Sequence, residues 1–404
     1  VTLMRSNLVT PSAWLANLLV IPVISVVLAG GFAALLLGFA WPAGASVLLV
    51  LTLWLLRGLL CFVEWIGTVP GSHFALRNLT PPALLWYYAS LVLAWYWLYL
   101  YGTAAVRPAL RRRLTGLGAL AAAVLFFSCA HACRPHDRAF SVTALDVGLG
   151  DAFVLRSPQG HTIVVDCGTR FGQSSMGSRV VVPYLRAMGI NRVDALVLTH
   201  FDRDHAGGAP ELLSAVRVRA VLAPPLQAGD AFARNLRALA LQRGARWQTC
   251  TAGQRFRWGA LRADVLGPPR VMRDLPRDEL PWGDNAWSLV MRFQCGGAAV
   301  LMTGDATVAS EALQLQRAYQ VRSDLLKVGH HGSISSTGPL FLDAVRPRLA
   351  LLSAGVNHMG LPSHDVMQAL KDRAIPVART DRHGAVRMMM RRDKIAVESF
   401  EVTN

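Results

Sequence analysis
The absence of charge along the first third of the chain constrains its fold more than any other feature. No Lys, Arg, Asp or Glu occurs from Ser6 to Leu56, from Asn78 to Val106, or from Leu114 to Cys133. A membrane helix takes roughly 20 apolar residues. Trp14 to Ala40 and Ala83 to Val106 meet that length. Pro42 to Leu56 is a shorter second span, and Leu114 to Ala130 is near the lower limit. Pro22, Gly30, Gly31 and Gly44 would break soluble helices but are tolerated in membranes. The aromatic residues from Trp86 to Tyr101 suit interface anchors.

Arg107, Arg111, Arg112 and Arg113 crowd one short loop between the last two spans. Such a loop is expected in the cytoplasm, so Leu114 to Ala130 runs outward and the rest of the chain is extracytoplasmic. Arg57 to Pro82 is then also expected outside, either as a re-entrant or surface-lying segment or as an ordinary loop. Leu114 to Ala132 has the look of a signal peptide, but its place after other spans favours an uncleaved helix. The chain opens on an apolar stretch without a targeting segment of its own, as expected for part of a longer membrane protein. The six cysteines include no Cys-x-x-Cys pair, which argues against a zinc ribbon.

Composition changes near Phe140, and the expected domains are 1–139 and 140–404. The second part holds 32 basic and 23 acidic residues. Its strand-like runs are Ser141–Ala144, Ala152–Arg156, Thr162–Val165, Ala195–Thr199, Ala220–Leu222, Ala298–Met302, Asp324–Val328, Leu349–Leu352 and Val386–Met390. Helix-like runs are Ser178–Met188, Gly207–Ala215, Ala231–Arg243, Val308–Tyr319 and Ser363–Arg373. This alternation predicts an α/β layered fold.

The chemistry-bearing residues follow the strands. After apolar Val193–Leu198 comes Thr199-His200-Phe201-Asp202-Arg203-Asp204-His205-Ala206-Gly207-Gly208. Four potential ligands fall within six residues. His200 and Asp202 can share one ion, and Asp204 and His205 a second. The glycines let the next helix start close to the site. Three more strands end in polar groups: Asp166-Cys167-Gly168, Thr303-Gly304-Asp305 and Gly329-His330-His331-Gly332. Asp305 can bridge two cations, and His330 joins as a further ligand. His331 is placed to protonate a leaving oxygen or to stabilise a charged phosphorus centre.

The stretch His200 to Gly208 resembles the metal-binding signature of the metallo-β-lactamase fold, with Asp202 where many members carry a second His. The whole second part resembles the C-terminal domain of ComEC-type DNA-internalisation proteins of competent bacteria. The resemblance is carried by Leu145 to Asp151, Val165 to Gly168, His200 to Gly208, Asn285 to Val290, Thr303 to Asp305, Lys327 to Ser333 and Arg379 to Asp381. Ala16 to Pro22 is similar to the end of that family's channel domain. The resemblance implies transmembrane helices followed by a four-layer αββα metallo-β-lactamase sandwich. Two residues depart from the pattern: Leu149 replaces a usual Gln, and Leu361 replaces a His that would be the last metal ligand. His358 and His364 are the nearby candidates to replace it.

The implied function is hydrolysis of DNA phosphodiesters with a metal-activated water, degrading one strand during uptake. Asp204 would orient that water. The implied cofactors are two divalent ions, Zn or Mn, and the Asp at 202 makes the site harder and more favourable to Mn²⁺. Implied partners are DNA (single strand or duplex), the bacterial inner membrane and other competence-channel subunits. Two alternatives remain: a DNA-binding transport domain weakened by Leu361, or a hydrolase of another phosphodiester or ester. Arg217, Arg219, Arg234, Arg237, Arg243, Arg246, Arg255, Arg257 and Arg262 are scattered and read as solvated surface before they read as a groove. Trp247, Phe256, Trp258, Trp282 and Trp287 can stack bases, although core packing explains most such residues.

Overall fold
The computed structural model describes residues 8–9, 12–68, 74–75 and 139–400 except 173, 227–228, 271–283 and 392–393, with isolated residues between 89 and 123. The chain divides into two compact units. Val1–Arg134 belongs to the first, and Pro135–Leu185 with Ile190–Asn404 to the second.

In the first unit, helix α1 (Ser12–Ala40) passes through Trp41 into helix α2 (Pro42–Thr68). Both are long and apolar enough to cross a membrane, over Ala16–Ala40 and Pro42–Val63. Small residues bring the pair together, as is usual where lipid removes the hydrophobic drive. Ala16, Ala34 and Ala45 are buried. A side chain at Gly30 would come within 2.7 Å of Thr52 Oγ1 on the other helix. The second helix corrects the expectation of a span ending at Leu56. It continues through Arg57 to Thr68, so the front of the segment expected outside belongs to the helix. One cation among leucines does not end an apolar helix, because its long stem packs along the surface. Arg57 sits over the Trp54 ring one turn back, 5.9 Å from its centroid. The spans expected at Ala83–Val106 and Leu114–Ala130, and the arginine loop between them, lie almost wholly outside the described residues.

The second unit is built on two sheets. Six strands enter the first: β1 (Phe140–Ala144), β2 (Phe153–Arg156), β3 (Thr162–Val165), β4 (Ala195–Val197), β5 (Ala220–Ala223) and β6 (Arg246–Thr249). The second takes the next seven: β7 (Arg255–Trp258), β8 (Leu261–Gly267), β9 (Val290–Cys295), β10 (Ala298–Met302), β11 (Leu325–Lys327), β12 (Leu349–Leu352) and β13 (Val377–Arg379). Then β14 (Ala385–Arg391) and β15 (Lys394–Phe400) return to the first. The spatial orders are β6-β5-β4-β3-β2-β1-β14-β15 and β7 through β13 in sequence.

Alternation along each strand makes the layers. Val142, Phe153, Leu155, Ile163, Val165 and Val197 of the first sheet share a core with Met291, Phe293, Val300, Met302, Leu325 and Leu351 of the second. The alternate residues Leu301, Leu326, Ala350 and Leu352 face the other way. They pack with Phe341, Leu342 and Val345 of helix α6 and Val366 and Leu370 of helix α7. These helices are α5 (Val308–Gln316), α6 (Pro339–Val345) and α7 (His364–Asp372). Helices α3 (Ala209–Ala215) and α4 (Ala231–Gln242) cover the first sheet. The result is the four-layer αββα sandwich.

Parallel neighbours bring the site-bearing strand ends level. β3 pairs with β4 so that Val165 lies opposite Val197. In the second sheet Leu301 lies opposite Leu326, and Lys327 opposite Leu351. Each of these strands leaves the sheet through a polar loop on the same edge of its sheet, where ligands of parallel sheets collect.

Candidate metal centre
The loop after β4 supplies most of the site. Thr199 and His200 leave the strand, Asp202 opens a single helical turn (Arg203–Ala206), and His205 points inward from that turn. The turn is held tightly. Cys167 N donates to His205 O at 2.7 Å, and Asp151 N donates to Asp204 O at 3.1 Å. A Cβ on Gly150, whose φ is +141°, would lie 2.3 Å from Asp204 O, so only glycine permits this approach.

From the second sheet, Asp305 follows β10, and His330 and His331 follow β11. Asp166, His330 and His331 all have left-handed backbones, with φ of 57°, 45° and 51°. Such conformations cost about 1–3 kcal/mol each for non-glycine residues and cluster at functional sites.

The ligand atoms of His200, His205 and Asp305 lie within 4.8 Å of one another, as do those of Asp204, His205 and His331, and those of His200, Asp202 and Asp204. Asp305 Oδ1 is 3.3 Å from His205 Nε2, and its Oδ2 is 3.8 Å from His331 Nε2, so Asp305 spans both sides. Asp204 Oδ2 is 3.4 Å from His331 Nε2.

Hydrogen bonds fix the tautomer of three imidazoles. A carboxylate only accepts, so His205 donates Nδ1–H to Asp166 Oδ2 at 2.9 Å. Thr199 donates its hydroxyl to the same oxygen at 2.6 Å, which leaves Thr199 Oγ1 to accept from His200 Nδ1 at 3.0 Å. His331 donates Nδ1–H to Ser353 O at 3.1 Å. Every Nε2 is thereby turned to the centre. The Nε2 atoms of His200, His205 and His331 are buried without a hydrogen-bond partner among the described residues. Buried polar atoms rarely go unpaired, and three converging imidazole nitrogens beside two carboxylates fit divalent cations, which would displace any Nε2 proton.

Beneath the centre lies Lys327, 1% exposed. Its Nζ reaches Asp151 Oδ2 at 2.5 Å, Gly304 O at 2.7 Å and Asp305 Oδ1 at 3.3 Å. These three acceptors match the three donors of an ammonium.

Charge and burial set the protonation states. Burial, helped by neighbouring His205, pushes the His200 imidazole down to about 3, so it is neutral and open to a cation. Burial also works against charging His205, but the Asp305, Asp151 and Asp166 carboxylates outweigh it and raise that imidazole well above its ordinary value. Burial raises the Asp204 carboxyl, yet the adjoining His331 and His205 outweigh this and hold it at about 2. Burial likewise opposes the charge on Asp305, and His205 with Lys327 more than compensates.

Not every expected residue joins the cluster equally. His330 sits at its rim, partly exposed, 3.7 Å from Asp305 Oδ2 and bonded through Nδ1 to Ser335 Oγ at 3.0 Å. His331, expected beside the reacting group, lies among the inward ligands. Asp202 lies on the open side, 54% exposed and 3.6 Å from His200 Nε2. His358 and His364 are both exposed and belong to none of the ligand groups among the described residues. Leu361 is tied through its N and O to the Asn357 side chain at 3.0 and 2.9 Å. Lys327 and the Thr199 relay had no expected role. A charged residue at the end of the apolar run Leu325-Leu326 was the available signal for the first. Of the aromatic residues considered for stacking, Trp287 is buried in the core and Phe256 and Trp258 pack partly against it. Trp282 lies outside the described residues. Arg219 and Arg255 pair with Asp194 and Asp264, as surface cations do.

The Metallo-beta-lactamase superfamily model matches residues 145–356, and the Competence protein model matches residues 1–101. ComE operon protein 3 of Bacillus subtilis is 30% identical over 298 residues, covering 70% of this chain and 37% of that protein. Competence protein ComA of Neisseria gonorrhoeae is 32% identical over 292 residues, covering 71% of this chain and 38% of that protein. Recombination protein 2 of Haemophilus influenzae is 32% identical over 260 residues, covering 64% of this chain and 30% of that protein. The chain thus spans 30% to 38% of the length of these relatives. The competence match and the two apolar helices mark a membrane protein, and the fold implies divalent-metal binding. With the first match covering more than half of its residues, the chain belongs to the metallo-beta-lactamase superfamily, in the ComEC-type branch that couples this domain to a competence-protein membrane segment.

Proposed function
We propose that the second domain is a metal-dependent nuclease that hydrolyses DNA phosphodiesters during uptake, removing one strand while the other enters. The observation that carries this reading is the convergence of three unpartnered, buried Nε2 atoms with Asp204 and Asp305. His200, Asp202, Asp204, His205, Asp305 and His331 would hold two divalent ions, manganese or zinc, with His330 at the rim. The chemistry such ions supply when bound is Lewis acidity toward a phosphoryl oxygen and toward water.

The chain's own residues do the positioning. Asp166, through Thr199 and directly, keeps His200 and His205 in the tautomer that presents Nε2. Asp204, kept ionised, accepts a hydrogen bond from the attacking water and orients it. His330 stands on the open rim, and burial lowers its imidazole, so it would meet the phosphate as a neutral hydrogen-bonding group. Lys327 holds Asp305 and Asp151 in place from below.

The arginine loop at Arg107 to Arg113 supports a multi-pass topology in the inner membrane, with residues 140–404 outside the cytoplasm. Other competence-channel subunits would supply the rest of the pore.

The test uses the full chain in detergent, loaded with Mn²⁺ or Zn²⁺ and given a labelled oligonucleotide. Cleavage is expected in the wild type and absent in Asp204→Ala; an Asp204→Ala protein as active as wild type sinks the assignment. A second reading, DNA binding without catalysis, draws on Leu361 and on the exposure of His358 and His364. Elemental analysis separates the two, since near-zero metal content favours binding alone.

A further inference from the structure
A cleft of about 830 Å³ opens beside the metal centre, and Arg170, Phe201, Asp202, Arg203, Asp204 and Phe232 are among its walls. Its size is that of a small-ligand pocket. Asp202 and Asp204 also belong to a ligand group with His200, so a molecule in the cleft has one end at the reacting position. The other walls are two rings, two arginines, two glycines and Asp230, whose carboxylate is committed to capping α4. Phe201 is 8% exposed and stacks on Trp247, with centroids 6.4 Å apart and planes 11° from parallel. Nearly covered, it braces the floor of the cleft, and the more open ring is that of Phe232. Phe232 is half-buried in the first turn of α4. That turn is fixed by Asp230, which accepts from Ala233 N at 2.8 Å.

The two cations differ. Arg170 is tied to Glu211 and to Gly207 O. Arg203 is exposed and has no ion-pair partner among the described residues, so its guanidinium is free to take a phosphate.

Flat apolar faces, one free arginine and an edge at the reacting centre match one kind of ligand. A nucleobase offers a π-face to an aromatic ring whatever its sequence, and its phosphate offers the anion. A simple ester or a sugar phosphate has no ring face to stack. In a duplex both faces of each base are already stacked on neighbours, so only an unpaired nucleotide can use the platform.

We infer that this cleft binds an unpaired nucleotide flanking the scissile phosphate, with its base against Phe232 and Phe201 and its backbone phosphate on Arg203. The placement beside the scissile phosphate rests on the nuclease reading; the binding does not.

The experiment uses the full chain in detergent, with EDTA to stop hydrolysis and a fluorescein-labelled oligothymidylate as probe. Equilibrium anisotropy gives Kd. Phe232→Ala is expected to weaken binding about tenfold or more. Phe232→Leu, which keeps apolar volume and loses the ring face, does the same while retaining the wild-type melting temperature. Arg203→Gln lowers the slope of log Kd against log salt by about 0.7, the loss of one phosphate contact on a single strand. A duplex of equal length binds more weakly and is insensitive to Phe232. Unchanged affinity in a Phe232→Leu protein that melts normally overturns the inference, as does a duplex that binds as well as the single strand. A wild type that binds this way but cleaves no DNA with Mn²⁺ or Zn²⁺ removes the nuclease reading and leaves the cleft standing. Cleavage with Phe232-independent binding does the reverse.

Discussion

On one side of the metal centre, His200 and His205 are 2% and 0% exposed and share a single supporting carboxylate, Asp166. On the other, His331 hangs from a backbone carbonyl, Asp204 is partly open to solvent, and the neighbouring loop offers Leu361. The first side is prepared by side chains at every step, and the second by backbone geometry. A prepared ligand loses little freedom when it binds, so the two sides should differ in ion affinity and in what their loss costs. Lys327 ties them together, because its ammonium bonds both Asp151, which approaches His205 and His331, and Asp305, which faces both sides.

The largest effect tests whether the open side carries the chemistry. Asp204→Asn keeps the shape and removes the charge. Under the nuclease reading it lowers kcat by about 10²–10⁴-fold, the range of a general base or water-orienting group. Single-turnover cleavage by the metal-loaded chain measures it. A kcat within a few-fold of wild type moves the chemistry to the buried side. Lys327→Met breaks the tie next. Two buried carboxylates lose their cation, and such a break costs about 3–5 kcal/mol of stability. Chemical unfolding followed by tryptophan fluorescence reads this loss, and added Zn²⁺ should restore part of it by recharging the site. If unfolding is unchanged, Lys327 is a spectator and the two sides are independent.

The sequence showed these sides unequally, for physical reasons. The buried side, together with Asp202 and Asp204 of the open side, was legible, because His200, Asp202, Asp204 and His205 fall in one loop after an apolar strand, where spacing alone gathers them. Asp305 and the His330-His331 pair were legible as polar ends of apolar strands, but which imidazole turns inward was not. Both residues have left-handed backbones, which break the alternation that would have told them apart. The Thr199 relay joins residues 33 positions apart and leaves no local pattern. The same contrast runs through the fold. Strands buried on both faces and free of polar residues at their centre, such as Thr162–Val165 and Leu349–Leu352, stood out as apolar runs, whereas the largely buried Val290–Cys295 did not, because Arg292 and Gln294 interrupt it. Arg255–Trp258 and Lys394–Phe400 did not, because they are exposed along much of their length and their charged residues conceal the alternation. Helix α6 was missed for its shortness. In the membrane unit the fault was opposite: Arg57 was given more weight than the apolar residues around it.

Two smaller effects divide the sides most finely. Asp166→Ala should weaken ion binding by about 10–100-fold, the usual cost of losing support for a ligating His. It acts on His200 and His205 together, while His331 keeps its own carbonyl. His205 belongs to both ligand groups, so competition with a zinc chelator should show the site that also holds His200 weakened more than the site that holds His331; equal weakening of both would erase the asymmetry. The converse change is Leu361→His, which offers the open side a further imidazole. The gain is expected to be about tenfold or less in affinity for the weaker ion, because an imported ligand arrives without the hydrogen-bonded support that orients a native one. The loop itself limits it. Leu361 N and O are both held by Asn357, and a Cβ at Gly332 would touch Pro362 at 2.5 Å, so the backbone cannot swing to suit a new ligand. Titration calorimetry with Mn²⁺ reads the change. A gain above a hundredfold means the second position is a finished site waiting for its last ligand; no gain means that His331 and the carboxylates already complete it, and that the Leu at 361 belongs to the loop and not to the centre.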